Sequence, residues 1–189
     1  MENLKFEETQ QFRSRFFWIL LGTLLIFLMA LMGFGFVKQI IIGKPFGTRP
    51  ASDIQVIITT ALVFLLNTLL ILLFYFTKLT TLIDNDGIWI RYIPFMNKMK
   101  FVSWNQIKYV YIRKYDPIME FGGYGLRYGF KRGAAYNVSG RWGLQIILKN
   151  GKKILIGTKR PDDLKKFLMK IKPGLFRTHI SSYTSGHIP

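Results

Sequence analysis

The sequence predicts an α+β chain: a helical hairpin long enough to cross a membrane, then an antiparallel β barrel or sandwich of six or seven strands capped by one C-terminal helix. Three observations carry this reading. Two uncharged intervals, 22 residues between Arg15 and Lys38 and 24 between Asp53 and Lys78, are dominated by Leu, Ile, Phe and Met. After Lys78 the apolar residues recur in alternation instead of at helical spacing. Charge is also segregated, because residues 1–76 carry a net +2 and residues 77–189 carry +15. At 189 residues the chain has room for one ordinary domain and a small extra element.

The first element expected is a transmembrane helix over residues 16–37, the second another over 54–77. At about 1.5 Å per residue they reach roughly 33 and 36 Å, against a hydrocarbon core of about 30 Å. Phe16, Phe17 and Trp18 open the first span and Tyr75 closes the second, as interfacial aromatics do. Ser52-Asp53-Ile54-Gln55 fits a capping box at the start of the second. The acidic leader, with Glu2, Glu7 and Glu8, and the length of the apolar stretch argue for an uncleaved anchor over a signal peptide. Residues 1–15 are read as a separate N-terminal segment and residues 38–53 as an external loop. Both termini share a side, and the excess of Lys and Arg on that side makes it cytoplasmic. Asn67 lies near the middle of the second span, level with residues 23–26 of the first. Its amide needs a partner in lipid, either Thr23 of the same hairpin or a second copy of the chain.

Six strands are expected at 79–84, 87–93, 100–104, 107–114, 143–149 and 152–157, with a seventh within 134–139. Asn150-Gly151 predicts a type I′ hairpin. Pro161, then Asp162 and Asp163, open a helix whose apolar stripe is Leu164, Phe167, Leu168 and Ile171, with Lys170 and Lys172 at its end. Pro173-Gly174 stops it, and residues 173–189 are read as a flexible tail.

A strand meander closed by one helix resembles a pleckstrin-homology-like (PH-like) domain. More particularly, the chain is similar to a largely uncharacterised group of bacterial PH-like domains tethered behind two transmembrane helices. The matching residues are Phe101-Val102-Ser103-Trp104-Asn105-Gln106-Ile107, a strand entry, and Ile156-Gly157-Thr158-Lys159-Arg160-Pro161-Asp162-Asp163-Leu164, a helix entry. The resemblance covers residues 78–172 as a domain and implies a bacterial inner-membrane location. It brings no catalytic residues.

Residues 115–141 break the alternating pattern. Six glycines stand there among Tyr115, Phe121, Tyr124, Tyr128, Phe130 and Tyr136, with Arg127, Lys131, Arg132 and Arg141. With Arg113 and Lys114 just before them, these cations and tyrosines are the candidate contacts for anionic lipid headgroups or a partner protein. Arginine binds phosphate bidentately, and aromatics suit a half-wet interface. A Gly-rich hairpin with a solvated cationic rim is the plain alternative.

Absent cysteines exclude disulfides, thiol nucleophiles and thiolate metal sites. No cofactor or metal is expected, since His179 and His187 stand in the tail without neighbouring carboxylates. Gly123-x-Gly125-x-x-x-Gly129 has the wrong spacing for a dinucleotide loop. Only Asp116 and Glu120 flank the unusual loop, too little for acid–base catalysis. The expectation is a non-enzymatic, membrane-anchored binding or scaffolding module, with self-association or a protein partner. An assembly or regulatory factor for a larger membrane complex is the alternative, and nucleic-acid binding ranks last.

Overall fold

A computed structural model describes residues 4–96, 98–129 and 132–177. The chain divides into two units, residues 12–76 and the remainder.

In the first unit, α1 (Arg15–Phe36) runs on through a π-helical turn over Val37–Ile41, and α2 (Asp53–Phe76) returns beside it. Both helices are long and apolar enough to cross a membrane. Their outer faces are mostly hydrocarbon, Phe16 being 76% exposed and Ile26 70%. Ser14 caps α1 by accepting from the Phe17 amide. At that end Phe12, Phe17 and Phe74 form a ring cluster with centroids 5.1–5.3 Å apart. At the far end Gln39 binds the connecting loop to α2, donating to Ala51 O at 2.7 Å and Asp53 Oδ1 at 2.9 Å. The Gln55 side chain reaches back to the Ser52 amide at 3.0 Å, as a capping box requires.

Thr23 does not serve Asn67. Thr23 is exposed on the outer face, and Leu25, about 200° further around the helix, is the buried residue at that level. Asn67 is only 7% exposed, and its Nδ2 has no hydrogen-bond partner among the described residues. The amide is therefore covered by the hairpin itself, and a second copy would reach it only if the helices parted. Asn67→Leu should stabilise the hairpin by about 1 kcal/mol, because an unpaired buried donor is exchanged for hydrocarbon. Denaturant titration of both forms in bicelles reads this out.

Among its described residues the second unit holds nine strands in two sheets, with no closed barrel. β1 (Phe6–Gln11), β2 (Lys78–Ile83), β3 (Gly87–Ile93) and β4 (Lys100–Ser103) form an antiparallel sheet in sequence order. β5 (Ile107–Lys114), β6 (Gly125–Gly129), β7 (Gly133–Asn137), β8 (Trp142–Leu148) and β9 (Lys153–Thr158) form the other, ordered β5-β8-β9-β7-β6. β7 runs parallel to β9, a non-local pairing within an otherwise antiparallel sheet. Leu79, Ile83, Ile88, Ile90, Ile107, Leu144, Ile146 and Leu155 are fully buried. Each contributes roughly 1.5–3 kcal/mol by leaving water. α3 (Pro117–Phe121) is a single turn, and α4 (Pro161–Ile171) buries Leu164 and Leu168 as its stripe predicts.

Four expectations need correction. Residues 4–11 are not a separate segment, because β1 pairs with β2 along its whole length, Phe6 with Ile83 through Gln11 with Lys78. The hairpin of residues 12–76 is thus inserted between two neighbouring strands. Strands beyond the expected seven also appear because the loop 115–141 contains β6 as well as β7. The β8–β9 connection is not a two-residue type I′ turn. Gly151 N donates to Leu148 O and Leu148 N to Lys152 O, a three-residue loop ending in left-handed Gly151 at φ 81°. Finally, residues 175–177 are not loose. Val110 bonds Leu175 O and the Arg177 amide at 2.9 Å each, and the Arg177 guanidinium lies 4.2 Å from the Tyr109 ring centre. Residues 178–189, with His179 and His187, lie outside the described residues.

Candidate functional site

The unusual loop is first of all a piece of architecture. Asp116 caps α3 by accepting from the Ile118 and Met119 amides at 2.9 Å each, with Pro117 at the first position. Tyr115, Phe121, Ala135 and Leu155 form one buried cluster. Asn137 Oδ1 accepts the Gly125 amide at 2.8 Å and fixes the start of β6. Gly133 sits where β7 crosses β9. A Cβ there would lie 2.0 Å from Lys153 O, on a backbone already at φ +79°.

The eight residues singled out in the sequence do not converge on one point. Arg113 and Arg132 meet in a cleft of about 390 Å³ with Tyr111, Glu120, Gln145 and Lys153. Arg113 is held there from two sides, bidentate to Glu120 at 2.7 and 3.0 Å and through Nε to Gln145 Oε1 at 3.1 Å. Arg132 donates to Met119 O at 3.1 Å. Tyr128, 80% exposed, lines a separate cleft. Tyr124 and Arg127 stand together at the start of β6, where Arg127 Nε donates to Tyr124 O and the Tyr124 hydroxyl to Gly140 O. Lys114 and Arg141 lie exposed where β5 ends and β8 begins. Lys131 lies outside the described residues.

The second cleft, about 480 Å³, was not foreseen. It lies among β4, the start of β7 and the β8–β9 hairpin, and Lys100, Lys152 and Lys153 line it with no carboxylate. Lys100 is pre-oriented, its Nζ 3.2 Å from the Tyr136 hydroxyl and 5.6 Å from that ring's centre. Lys153 lines both clefts. The only hint in the sequence was the Lys-Lys pair directly after Asn150-Gly151. Its meeting with Lys100, fifty residues earlier, depends on how the sheets pair.

With two helices fit for a membrane and two cationic clefts on one β unit, the chain has a layout that can be compared. The model of a family of unknown function (DUF6141) matches residues 2–173. The chain belongs to that family. No curated protein matches it.

The match spans both long helices, all nine strands and α4, so the inserted hairpin is part of what defines this DUF6141 chain. Its loop carboxylates are spoken for. Hydrogen bonds from Met119 and Ile118 hold exposed Asp116 below its ordinary value. Burial alone would raise Glu120, but the Arg113 hydrogen bond, the Asp116 amide and the charges of Arg113 and Arg132 outweigh it and hold that carboxyl low. Burial pushes the Tyr115 hydroxyl up to about 12. Among the described residues no three His, Cys, Asp or Glu side chains gather as a metal set. Because the folded state lowers the Glu120 pKa, its ionised form stabilises the fold above the ordinary value of 4.5. That contribution is lost as pH falls through the lowered value. Glu120→Gln should therefore cost about 1 kcal/mol at neutral pH, and the gap between the two melting curves should close in acid.

Proposed function

We propose that this DUF6141 chain is a non-enzymatic, PH-like binding module, held at the cytoplasmic face of a bacterial inner membrane by its helical hairpin. The observation that carries the reading is the pairing of Gln11 with Lys78. The chain leaves the β unit and returns to it at neighbouring strand ends, so the hairpin as a whole begins and ends on one side. A single basic β unit is thereby displayed there, with clefts that collect Arg132, Lys153, Lys152 and Lys100. Point charges with few competing carboxylates suit an anionic ligand, either a lipid headgroup or an acidic stretch of a partner protein. Scaffolding follows if one chain holds such a ligand while anchored.

Reporter fusions after residue 177 and within residues 43–50 test the tether. Cytoplasmic activity for the first and external activity for the second are expected, with all protein in the carbonate-resistant membrane fraction. A soluble protein, or an external reporter after residue 177, would overturn the reading.

A further inference from the structure

The pairing register also says which rim of the β unit adjoins the hairpin along the chain. Gln11 pairs with Lys78, and Lys78 with Ile93, so three strand ends stand in one row. Adjacent strands are about 4.8 Å apart, which makes the row about 10 Å wide. Only Thr77 separates Lys78 from the last residue of α2, and three residues separate Gln11 from the first residue of α1. A span of two residues covers at most about 7 Å. The row is therefore within a few ångströms of chain from the end of α2.

What stands at the row is unlike the rest of the unit. After β3 the chain turns at residues 94–96, with Met96 N donating to Tyr92 O at 2.7 Å, and residues 98–99 lead into β4. This corner presents Phe95 at 55% and Met99 at 41% exposure. The Phe95 ring lies 5.8 Å from that of Tyr92, whose hydroxyl donates to Asn137 O. The start of β6 is there too, with Gly125 beside the Tyr92 hydroxyl and Arg127 close enough for its charge to act on that group. Lys78, Lys98 and Arg127 are among the charges of this end, and no carboxylate occurs between Asp86 and Asp116. The opposite end of the same strands is acidic. Asp84 and Asp86 form the β2–β3 turn with Asn85, about 20 Å away along a six-residue strand.

We propose that the corner at Phe95 and Met99, flanked by Lys98 and Arg127, rests in the anionic headgroup layer of the bilayer, with Phe95 in the interface. An apolar point within a cationic rim is what an interfacial contact needs, and the acidic far turn is repelled from the same surface. The inference rests on the tethered-module reading and adds the face by which the module sits down. It does not use the two clefts, although Lys100 and Tyr128 of the larger one directly follow Met99 and Arg127 in the chain.

The chain has no cysteine, so single substitutions give unique labels. Full-length Phe95→Cys, Met99→Cys and Asn85→Cys, each carrying an environment-sensitive fluorophore, are reconstituted into liposomes of phosphatidylcholine with phosphatidylglycerol. Flotation is checked first, and brominated lipids are then used as quenchers. The expected result is at least twofold quenching with a blue-shifted emission at positions 95 and 99, and a water-like signal at 85. Water-like emission at 95 and 99 in floating liposomes overturns the proposal and leaves the tether standing. Equal quenching at 85 overturns it as well. A blue shift that grows with protein-to-lipid ratio overturns it in favour of contact with a second copy. Failure to float removes the tether reading and this proposal together.

Discussion

Glu8→Ala should lower the stability of the β unit by roughly 3–5 kcal/mol, enough to unfold a marginal domain. Glu8 is 7% exposed and its carboxylate accepts three hydrogen bonds: from Thr158 Oγ1 at 2.6 Å, the Lys159 amide at 2.7 Å and Gln10 Nε2 at 3.0 Å. Truncation leaves the Thr158 hydroxyl and the Lys159 amide without this acceptor, while Gln10 Nε2 keeps its bond to Gly157 O at 2.7 Å. The loss also reaches across the fold, because Phe6 on the same face of β1 packs against Phe167 of α4 at 5.8 Å and lies under the Arg160 guanidinium. β1 is what fastens the first sheet to the entry of α4. Hydrogen exchange should show the amides of β2 and of residues 158–164 losing protection together in Glu8→Ala. If the loss is confined to residues 4–11, the strand is only laid on the surface. A fragment starting at residue 78 lacks β1 altogether and should be less stable than one in which residues 4–11 are spliced to residue 77 by a short linker.

Gly133→Ala is expected to be about as damaging, at roughly 3 kcal/mol or more. Its methyl carbon would lie 2.0 Å from Lys153 O and 2.8 Å from the carbonyl carbon. That is backbone, which cannot rotate away as a side chain can. The left-handed conformation at φ +79° adds a strain of its own for any residue with a Cβ. Relief requires β7 to move off β9 and breaks the pairing of Ala134 with Ile154 through Tyr136 with Ile156. Gly151→Ala serves as the comparison. It has the same sign of φ with open space around it, and should cost only about 1 kcal/mol. Thermal melts of the two variants in detergent give the difference directly.

Those two sites also mark where sequence reading stopped. The long helices, α4 and most of the strands were legible because each is written in a local pattern: uncharged length, a four-residue stripe, or alternation. β1 was not, because two of its three inward residues are Glu8 and Gln10. Its period of two is intact, but the buried side is polar and its long-range partners lie 147 to 151 positions away. Loop 115–141 looked like a site for a related reason. Its glycines serve turns and a close strand crossing, and Tyr115, Phe121 and Tyr136 are core residues. The cationic residues there stand out in the sequence. Their grouping was out of reach, since Arg113, Arg132 and Lys153 come together only through the order β5-β8-β9-β7-β6. Lys100 and Lys152 were overlooked because each sits in an ordinary strand or turn.

The central claim is that the hairpin is inserted between two paired strands, and one disulfide tests it. Thr9 and Thr80 are register partners on the outward side of β1 and β2, and the chain supplies no competing thiol. Full-length Thr9→Cys/Thr80→Cys in native membranes should form an intramolecular disulfide under mild oxidation. Thr9→Cys/Leu82→Cys, two residues out of register, should not. Efficient crosslinking of the first pair alone is the predicted result. Equal crosslinking of both pairs, or none in either, would mean that the N-terminal segment is not a strand of the β unit.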